Sequence, residues 1–368
     1  MTVTTQSGVP WTASSSADWL QIVEGDNGTG SGQISFRVPD FFAATSRSAQ
    51  ITVTIANGQT DSITITQTDN ATVALASNPS PATFGHLGGE ATVNVTTLPG
   101  MPWTASVDAP WVEIAEGDNG LGSGQIALNV DEWFAFGTRM ATVTVTLENG
   151  LTADLTITQT DDVTVALTST PSRSPLSGMV ELDHLGGTPV VTVSTEDGMP
   201  WTSMVDADWL RVLEGDNGTG SGQISLLVPE WFEGGQRTAN LVVTLANDRS
   251  ATLTVRQTDN TDVVLSSVPS PANFDHTGGT GIVFVSTNQG APWVSSTSSE
   301  WITIIEGDNG TGNGQIAFAV SEFFAATTRT GTITVTLPNG NSDTITVTQT
   351  DNATVTLNTI PTPLAFDH

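Results

Sequence analysis

The chain has 368 residues, no cysteine and a formal net charge of −29, with 38 acidic residues against 9 basic ones. The missing cysteine excludes disulfide bridges and thiolate metal sites. The acidity excludes the basic surface that nucleic acids and anionic membranes require, so we expect neither a nucleic-acid partner nor membrane insertion. The apolar runs are also short and alternate with threonine, which is not typical of a membrane span.

A ten-residue stretch from Glu24 to Gln33 recurs along the chain. Its further copies begin at Glu116, Glu214 and Glu306, in steps of 92, 98 and 92 residues. A Pro-Trp pair precedes every copy, and Gln-Thr-Asp follows it. A fixed period of this kind indicates one folding unit used four times. The Asn-Gly pair and the further glycines of the stretch predict a tight turn between strands.

In chain order, the second unit predicts about seven short strands separated by turn signals. They cover 72–76, 91–97, 103–106, 111–115, 125–130, 141–147 and 153–159. In one of them Val143, Val145 and Leu147 alternate with threonines, so one face is buried and the other faces water. This pattern is typical of an antiparallel two-sheet sandwich. Because linkers are almost absent between units, we expect a stiff rod of four all-β sandwich domains in tandem.

The units follow a longer pattern of residues, except that the first lacks Gly-Gly and the third has Arg256 before its closing Gln. It consists of Gly-Gly, a strand, Pro-Trp, a second Trp, Gly-x-Gly-x-Gly-Gln, an Arg and a closing Thr-Gln. The pattern resembles the BACON group of immunoglobulin-like domains over essentially the whole chain. The resemblance implies immunoglobulin-like sandwiches that bind carbohydrate or mucin-like glycans, or that space other domains. Glycans are therefore one expected class of partner.

The ends of the chain do not coincide with unit boundaries. Met1 corresponds to Val93, inside a strand, whereas the segment from Ala353 to His368 corresponds to the opening of a unit. Matching His368 to His86 leaves six positions, 87–92, between the two ends. One interpretation is donor-strand complementation, in which the tail of one molecule completes the first unit of the next in a head-to-tail homopolymer. The other is that the chain is a slice of a longer tandem array.

The first interpretation predicts five domain-level segments. They are repeat 1 lacking its first strand (1–70), repeat 2 (71–161), repeat 3 (162–259), repeat 4 (260–351) and a C-terminal donor strand (352–368). The apolar residues expected to form the polymerisation strand are Val355, Leu357, Ile360, Leu364 and Phe366. The residues of the first repeat expected to accept it are Met1, Val3, Trp11 and Trp19.

The repeated Glu-Gly-Asp-Asn segment is a candidate calcium site, since its carboxylates and amide oxygen suit a hard cation. It does not match an EF-hand loop, and a plain turn is the alternative. The candidates are Glu24, Asp26, Asn27, Glu116, Asp118, Asn119, Glu214, Asp216, Asn217, Glu306, Asp308 and Asn309. No other cofactor is expected, and the four lone turn histidines are not expected to bind metal.

An acidic residue precedes an aromatic pair once in each unit. The candidate glycan-facing aromatics in these loops are Phe41, Trp133, Trp231 and Phe323, and packing against the core or a neighbouring unit is the alternative. Four arginines recur just after the loops, at Arg47, Arg139, Arg237 and Arg329. We expect each arginine to form an ion pair or a cap, with the acidic residue of the loop as one partner. The paired tryptophans, such as Trp103 and Trp111, are expected to anchor the core.

We do not expect an enzyme, because the chain has no cysteine or lysine nucleophile and its polar residues recur equally in every unit, whereas a catalytic site would break that symmetry. The leading hypothesis is a structural subunit of an extracellular or cell-surface filament that polymerises head-to-tail. The alternative is a carbohydrate-binding or spacer repeat array of a longer secreted or surface adhesin.

Overall fold

A computed structural model describes residues 1–170 and 178–357 of the chain. The described residues form strands and turns and contain no helix. It follows that none of the described segments is a helix that could span a membrane. The chain divides into two compact units, Met1–Val163 and Thr164–His368. Each of these two compact units holds two of the four sequence repeats, and each compact unit is described by itself.

The first unit contains repeats 1 and 2. The strands of repeat 1 are β1 (Thr2–Val3), β2 (Pro10–Ser15), β3 (Gln21–Glu24), β4 (Asn27–Thr29), β5 (Gly32–Gln33), β6 (Ser35–Arg37), β7 (Ser46–Ile55) and β8 (Thr60–Thr68). The strands of repeat 2 are β9 (Ala74–Asn78), β10 (Thr83–Phe84), β11 (Gly89–Thr96), β12 (Pro102–Val107), β13 (Val112–Glu116), β14 (Asn119–Leu121), β15 (Gly124–Val130), β16 (Gly137–Leu147) and β17 (Thr152–Asp161).

Repeat 2 is a sandwich of two sheets. One has the strand order β13-β15-β11-β9 and the other has the order β10-β17-β16-β12-β14. Alternate residues of both sheets point inward, so that Val93, Ile126, Val143 and Ile157 are fully buried between them. All pairs are antiparallel except that β10 runs parallel to β17, with Thr83 opposite Thr158. The predicted all-β sandwich is confirmed, and β10 and β14 are the two strands that the sequence pattern did not predict.

The second unit repeats this architecture twice. The described strands of repeat 3 are β18 (Ala166–Thr170), β19 (Met179–Leu182), β20 (Val190–Ser194), β21 (Pro200–Val205), β22 (Arg211–Glu214), β23 (Asn217–Thr219), β24 (Gly222–Leu227), β25 (Gly235–Leu245) and β26 (Ser250–Asp259). Those of repeat 4 are β27 (Val263–Val268), β28 (Ala272–Phe274), β29 (Gly279–Thr287), β30 (Pro292–Thr297), β31 (Ile302–Glu306), β32 (Asn309–Thr311), β33 (Gly314–Val320), β34 (Thr328–Thr336) and β35 (Ser342–Thr350).

Both of these repeats keep the strand order of repeat 2. Repeat 3 has sheets β18-β20-β24-β22 and β19-β26-β25-β21-β23. Repeat 4 has sheets β27-β29-β33-β31 and β28-β35-β34-β30-β32. In each, the opening segment supplies an edge strand to both sheets, antiparallel in one sheet and parallel in the other. The opening segment of a repeat therefore holds its two sheets together.

The Asn-Gly pair of the repeated stretch lies within a strand, so the predicted tight turn at this pair is wrong. Asn27–Thr29 forms β4 and pairs with β2, and the positive φ angles fall instead at Gly25 (74°) and Gly30 (66°). Gly28 lies against the indole of Trp11, where an added Cβ would come within 2.5 Å of the ring. The indole Nε1 donates a hydrogen bond to the carbonyl oxygen of Gly30 at 2.8 Å. The glycines therefore leave room for a buried tryptophan and accept its hydrogen bond.

Candidate docking groove of the first repeat

Repeat 1 is the one repeat whose described residues provide no counterpart of the opening strands. In repeat 2, β9 pairs with β11 and β10 pairs with β17. In repeat 1, β1 pairs with β5 alone, and β8 is the edge of the sheet β4-β2-β7-β8. A groove of about 870 Å³ lies between these two edges. Its lining residues are Met1, Thr2, Val3, Thr4, Thr5, Ile51, Val53, Ile55, Gly58, Gln59, Thr60, Asp61, Ser62 and Ile63.

The groove opens the hydrophobic core of repeat 1. Val53, Ile55 and Ile65 are half-buried, whereas their counterparts 92 residues later, Val145, Leu147 and Ile157, are fully buried. Ile63 is 46% exposed. Repeats 1 and 2 thus have similar apolar residues in these two strands, but in repeat 1 no described strand covers them as the opening strands do in repeat 2. An apolar floor beside two unpaired strand edges is a ready site for an added strand.

Strand β1 keeps the register of an intact repeat. The Met1 nitrogen donates to the carbonyl oxygen of Ile34 at 2.9 Å, and the Ile34 N–H donates back to the Met1 oxygen at 2.9 Å. This pair is equivalent to the pairing of Val93 with Ile126 in repeat 2. Among the described residues the outer edge of β1 is unpaired, whereas the equivalent edge of β11 pairs with β9 in repeat 2.

The structure brings only part of the expected acceptor set to the groove. Met1 and Val3 line it, but Trp11 lies beneath Gly28 and Trp19 stacks 4.4 Å from the guanidinium of Arg47. Sequence reasoning missed Ile51, Val53, Ile55 and Ile63. Their positions on β7 and β8 could have been identified by asking which core residues the opening strands cover in the other repeats.

The expected donor segment lies partly outside the described residues, which end at 357, so that Ile360, Leu364 and Phe366 fall beyond them. Val355 and Leu357 are 88% and 90% exposed. Their counterparts in repeat 2, Val73 and Leu75, pack against its hydrophobic core. Equivalent valine and leucine side chains are thus exposed to solvent after repeat 4 and packed against the core in repeat 2.

Family comparisons match two of the repeats. Residues 9–68 match the family model BACON, described as a putative binding domain, N-terminal. Residues 269–352 match the viral BACON domain model. The chain carries BACON domains. No curated protein sequence matches the chain closely enough to count as a relative.

Several solved structures of tandem domains align with the chain at low identity. The I9–I11 tandem of titin is 8% identical, covers 76% of this chain and 99% of its own, and has a TM-score of 0.35. Protocadherin gamma B2 extracellular cadherin domains 3–6 are 11% identical, cover 95% and 96%, and have a TM-score of 0.30. Both scores are below 0.5, and the fold assignment rests on the sheets described above.

Each of the four repeats clamps its recurring arginine between two aromatic rings. In repeat 2 the Arg139 guanidinium lies 4.2 Å from the Trp111 ring centre and 5.1 Å from that of Trp133. Its Nε donates to Gln159 Oε1 at 2.9 Å, and Nη2 donates to the Asp131 carbonyl oxygen. The arginine therefore caps the aromatic loop, and its hydrogen-bond partners are not the loop carboxylate. Burial lowers the pKa of Arg139, opposed by the charge of Asp131.

The clamp determines where the candidate glycan-facing aromatics lie. The other clamps are Trp19-Arg47-Phe41, Trp209-Arg237-Trp231 and Trp301-Arg329-Phe323. Phe41, Trp133, Trp231 and Phe323 are all half-buried with an arginine against the ring. The second tryptophan of each Trp pair is likewise part of the clamp at the edge of the core, and only the first, such as Trp103, is fully buried.

The candidate calcium segments share one hydrogen bond between neighbouring side chains. In repeat 1, Asn27 Nδ2 donates to Asp26 Oδ1 at 2.9 Å. The same bond recurs between Asn119 and Asp118, Asn217 and Asp216, and Asn309 and Asp308. Over residues 1–170 and 178–357, no group of three or more His, Cys, Asp or Glu side chains is close enough to hold a metal ion.

Asp69 fastens repeat 1 to the start of repeat 2. Its carboxylate accepts hydrogen bonds from the N–H groups of Ala71, Ala43 and Ala44 at 3.0, 3.1 and 3.2 Å. Burial favours the neutral acid, but these bonds and one from Asn149 outweigh it and lower the pKa of Asp69 below its ordinary value of 3.8. The carboxylate therefore ties the aromatic loop of one repeat to the entry of the next.

Acid should loosen this junction. Because the pKa of Asp69 is lower in the folded chain than in the unfolded chain, its ionised carboxylate stabilises the fold. This stabilisation is complete above the unfolded pKa of about 3.8 and is lost as the pH falls through the folded pKa. The protection of the Ala43 and Ala71 amides, measured as exchange relative to the intrinsic rate at each pH, should fall in that acidic range, and Asp69→Asn should show low protection already at pH 7. Equal protection of these amides in both proteins at pH 7 would contradict the role of the carboxylate.

Proposed function

We propose that the chain is a structural subunit of an extracellular or cell-surface filament. In this filament the segment from Ala353 to His368 of one copy fills the groove of repeat 1 in the next copy. The observation that supports this most strongly is the incomplete burial of Val53, Ile55 and Ile65, whose counterparts lie fully buried under the opening strands of repeat 2. The occupant that restores this burial is an opening segment, and Ala353 to Leu357 has the sequence spacing of one.

The donated segment would use the pairing that the other repeats already use. Its first part pairs antiparallel to β1, as β9 pairs with β11, and its second part runs parallel to β8, as β10 runs beside β17. Main-chain hydrogen bonds on both edges supply affinity, and the alternate apolar side chains enter the core. Complete burial of each large apolar side chain contributes about 1.5–3 kcal/mol.

Such an interface joins two different surfaces of the molecule. The donor lies after repeat 4 and the acceptor is repeat 1, so every added copy presents a new free groove. A head-to-tail contact of this type does not close on itself and generates a filament. The high net negative charge keeps the free subunits apart until the specific contact forms.

Removal of the segment from Ala353 to His368 tests the proposal. Electron microscopy and light scattering should show long fibres from the full chain and monomers from the shortened one. A sharper pair of variants keeps the length constant: Val355→Asp with Leu357→Asp alters the core-facing side, and Thr354→Asp with Thr356→Asp alters the other side. The first pair should abolish fibres and the second should preserve them. A full chain that stays monomeric at all concentrations would overturn the proposal.

Glycan binding is the second candidate function. It is supported by the half-buried aromatic rings of the four loops, such as Trp133 and Trp231, each beside an exposed acidic residue. Binding of the truncated monomer to a glycan array, lost on Trp133→Ala, would favour this function. Absence of binding to any glycan by both assembled and monomeric protein would exclude it.

A further inference from the structure

In the second unit, repeat 3 presents a small platform to the beginning of repeat 4. His184 Nε2 donates to the carbonyl oxygen of Gln289 at 2.9 Å. A Cβ added at Gly290 would come within 2.7 Å of Leu185 Cδ2 and 3.8 Å of the Phe232 ring. The rings of His184 and Phe232 lie 5.4 Å apart. The turn before the strand β30 therefore rests on a histidine, an apolar side chain and a phenylalanine.

A second bond completes this junction and recurs in the first unit. Asn339 Nδ2 donates to the carbonyl oxygen of Thr261 at 2.8 Å. In the first unit, Asn149 Nδ2 donates to the carbonyl oxygen of Ala71 at 3.4 Å, and Phe42 packs against the core of repeat 2. Both described junctions thus use a phenylalanine of the earlier repeat and an asparagine of the later one.

Repeat 4 carries a similar platform, with Thr277 at the position of Leu185, and no residue that the structure describes rests on it. His276 and Phe324 lie 5.6 Å apart, close to the spacing of the pair in repeat 3. Phe324 is nevertheless 68% exposed, whereas Phe232 is half-buried. In repeat 3 the equivalent ring lies close to the Gly290 turn of repeat 4, whereas in repeat 4 the ring is open to solvent.

Repeat 1 carries the matching half. The turn before β2 has nearly the same backbone conformation as the turn before β30, which rests on the platform of repeat 3. Gly8 has φ 83° and Gly290 has φ 76°. The Val9 N–H donates to the Gln6 oxygen at 3.2 Å, as the Ala291 N–H donates to the Asn288 oxygen at 3.2 Å. Asn57, the counterpart of Asn149 and Asn339, is exposed where those two are half-buried.

We propose a second intermolecular contact, in which the platform of His276, Thr277 and Phe324 docks the Ser7–Gly8 turn of a second copy. In that copy, Asn57 donates to the carbonyl oxygen of Ala353 in the first. This inference rests on the proposed head-to-tail filament and adds a contact outside the groove. The donated strand supplies attachment, while the platform fixes the angle between consecutive copies in the way that repeat 3 holds repeat 4.

Cysteine cross-linking tests this contact directly, since the chain has no cysteine of its own. Ser7→Cys and Thr277→Cys variants are prepared separately, mixed, assembled and oxidised. A disulfide-linked dimer should form only in the mixture. Met140→Cys mixed with Ser7→Cys is the matched control, because Met140 is an exposed side chain on the outer face of repeat 2. Fibres in which the Ser7 and Thr277 variants cross-link no more than this control would overturn the contact while leaving the donor strand in place.

Phe324→Ala gives an independent measure. Loss of a phenyl ring that the proposed contact covers should raise the critical concentration for assembly by about tenfold or more. Met140→Ala removes a similarly exposed apolar side chain and should leave the critical concentration unchanged. Equal assembly of Phe324→Ala and the unaltered chain would again overturn the platform contact alone. Failure of the unaltered chain to form fibres would overturn both proposals.

Discussion

A chain that fills its own groove should remain monomeric. In this variant a copy of the segment from Ala353 to His368, followed by residues 87–92 as the connecting turn, is placed ahead of Met1. Because the added strands are tethered beside β1 and β8, their effective concentration is in the millimolar range, and they exclude the segment of any other copy. Size-exclusion chromatography with light scattering should show a monomer even though the original tail is retained.

The same variant should make repeat 1 more resistant to unfolding. Covering Val53, Ile55 and Ile65 removes apolar surface from water, as the opening strands do in repeat 2. Hydrogen exchange at the amides of β8 should slow by orders of magnitude. The matched control carries Asp at the positions of Val355 and Leu357 in the added copy only, and it should polymerise normally. Fibres formed by the self-filled variant would contradict the role of the groove.

Replacing Trp103 by alanine should destabilise repeat 2 by about 3–5 kcal/mol, since it leaves a large cavity in a small core. Trp103 is buried, and its Nε1 donates to the Gly122 carbonyl oxygen at 2.7 Å. Gly120→Val should also destabilise repeat 2, because a Cβ there would come within 2.4 Å of the Trp103 ring. The readout is hydrogen exchange of the repeat 2 amides, resolved by peptide mass.

The two substitutions should not be additive. With the indole removed, the valine side chain has room, and the double variant should be more stable than the sum of the single effects implies. Gly85→Ala is the control, because a Cβ at Gly85 meets nothing within 4 Å. It should change stability by no more than about 0.5 kcal/mol. Additive effects of Trp103→Ala and Gly120→Val would show that the glycine does not serve to seat the tryptophan.

The period and the strand alternation were sufficient to predict the tandem all-β sandwiches, and the recurring motif residues carried the resemblance to BACON domains. Both are properties of short segments repeated at a fixed distance, and the apolar period of strand β16 directly indicates which side is buried. The parallel strand β10 could not be predicted in this way. It has two residues, and its pairing with β17 depends on a contact between segments 75 positions apart.

The candidate site was less predictable for the same reason. Asn27-Gly28 is a strong local turn signal, but the pair is extended in β4, which pairs with β2, and Gly28 packs closely against Trp11. Arg139 has a carboxylate nearby in sequence, yet two rings and a glutamine brought together by the fold determine its position. An incomplete first repeat was expected from the sequence, but the groove floor of Ile51, Val53, Ile55 and Ile63 was not. The position of these residues at the groove depends on the pairing of β7 with β8.

Cryo-electron microscopy of the assembled fibre, at a resolution that separates strands, tests the central claim most directly. We expect density for two additional strands in repeat 1, one antiparallel to Thr2–Val3 and one parallel to Thr60–Thr68. Both should connect through 352–357 to repeat 4 of the neighbouring copy. Repeat 1 with an open groove in the fibre, or with strands that connect to any other segment, would contradict the account.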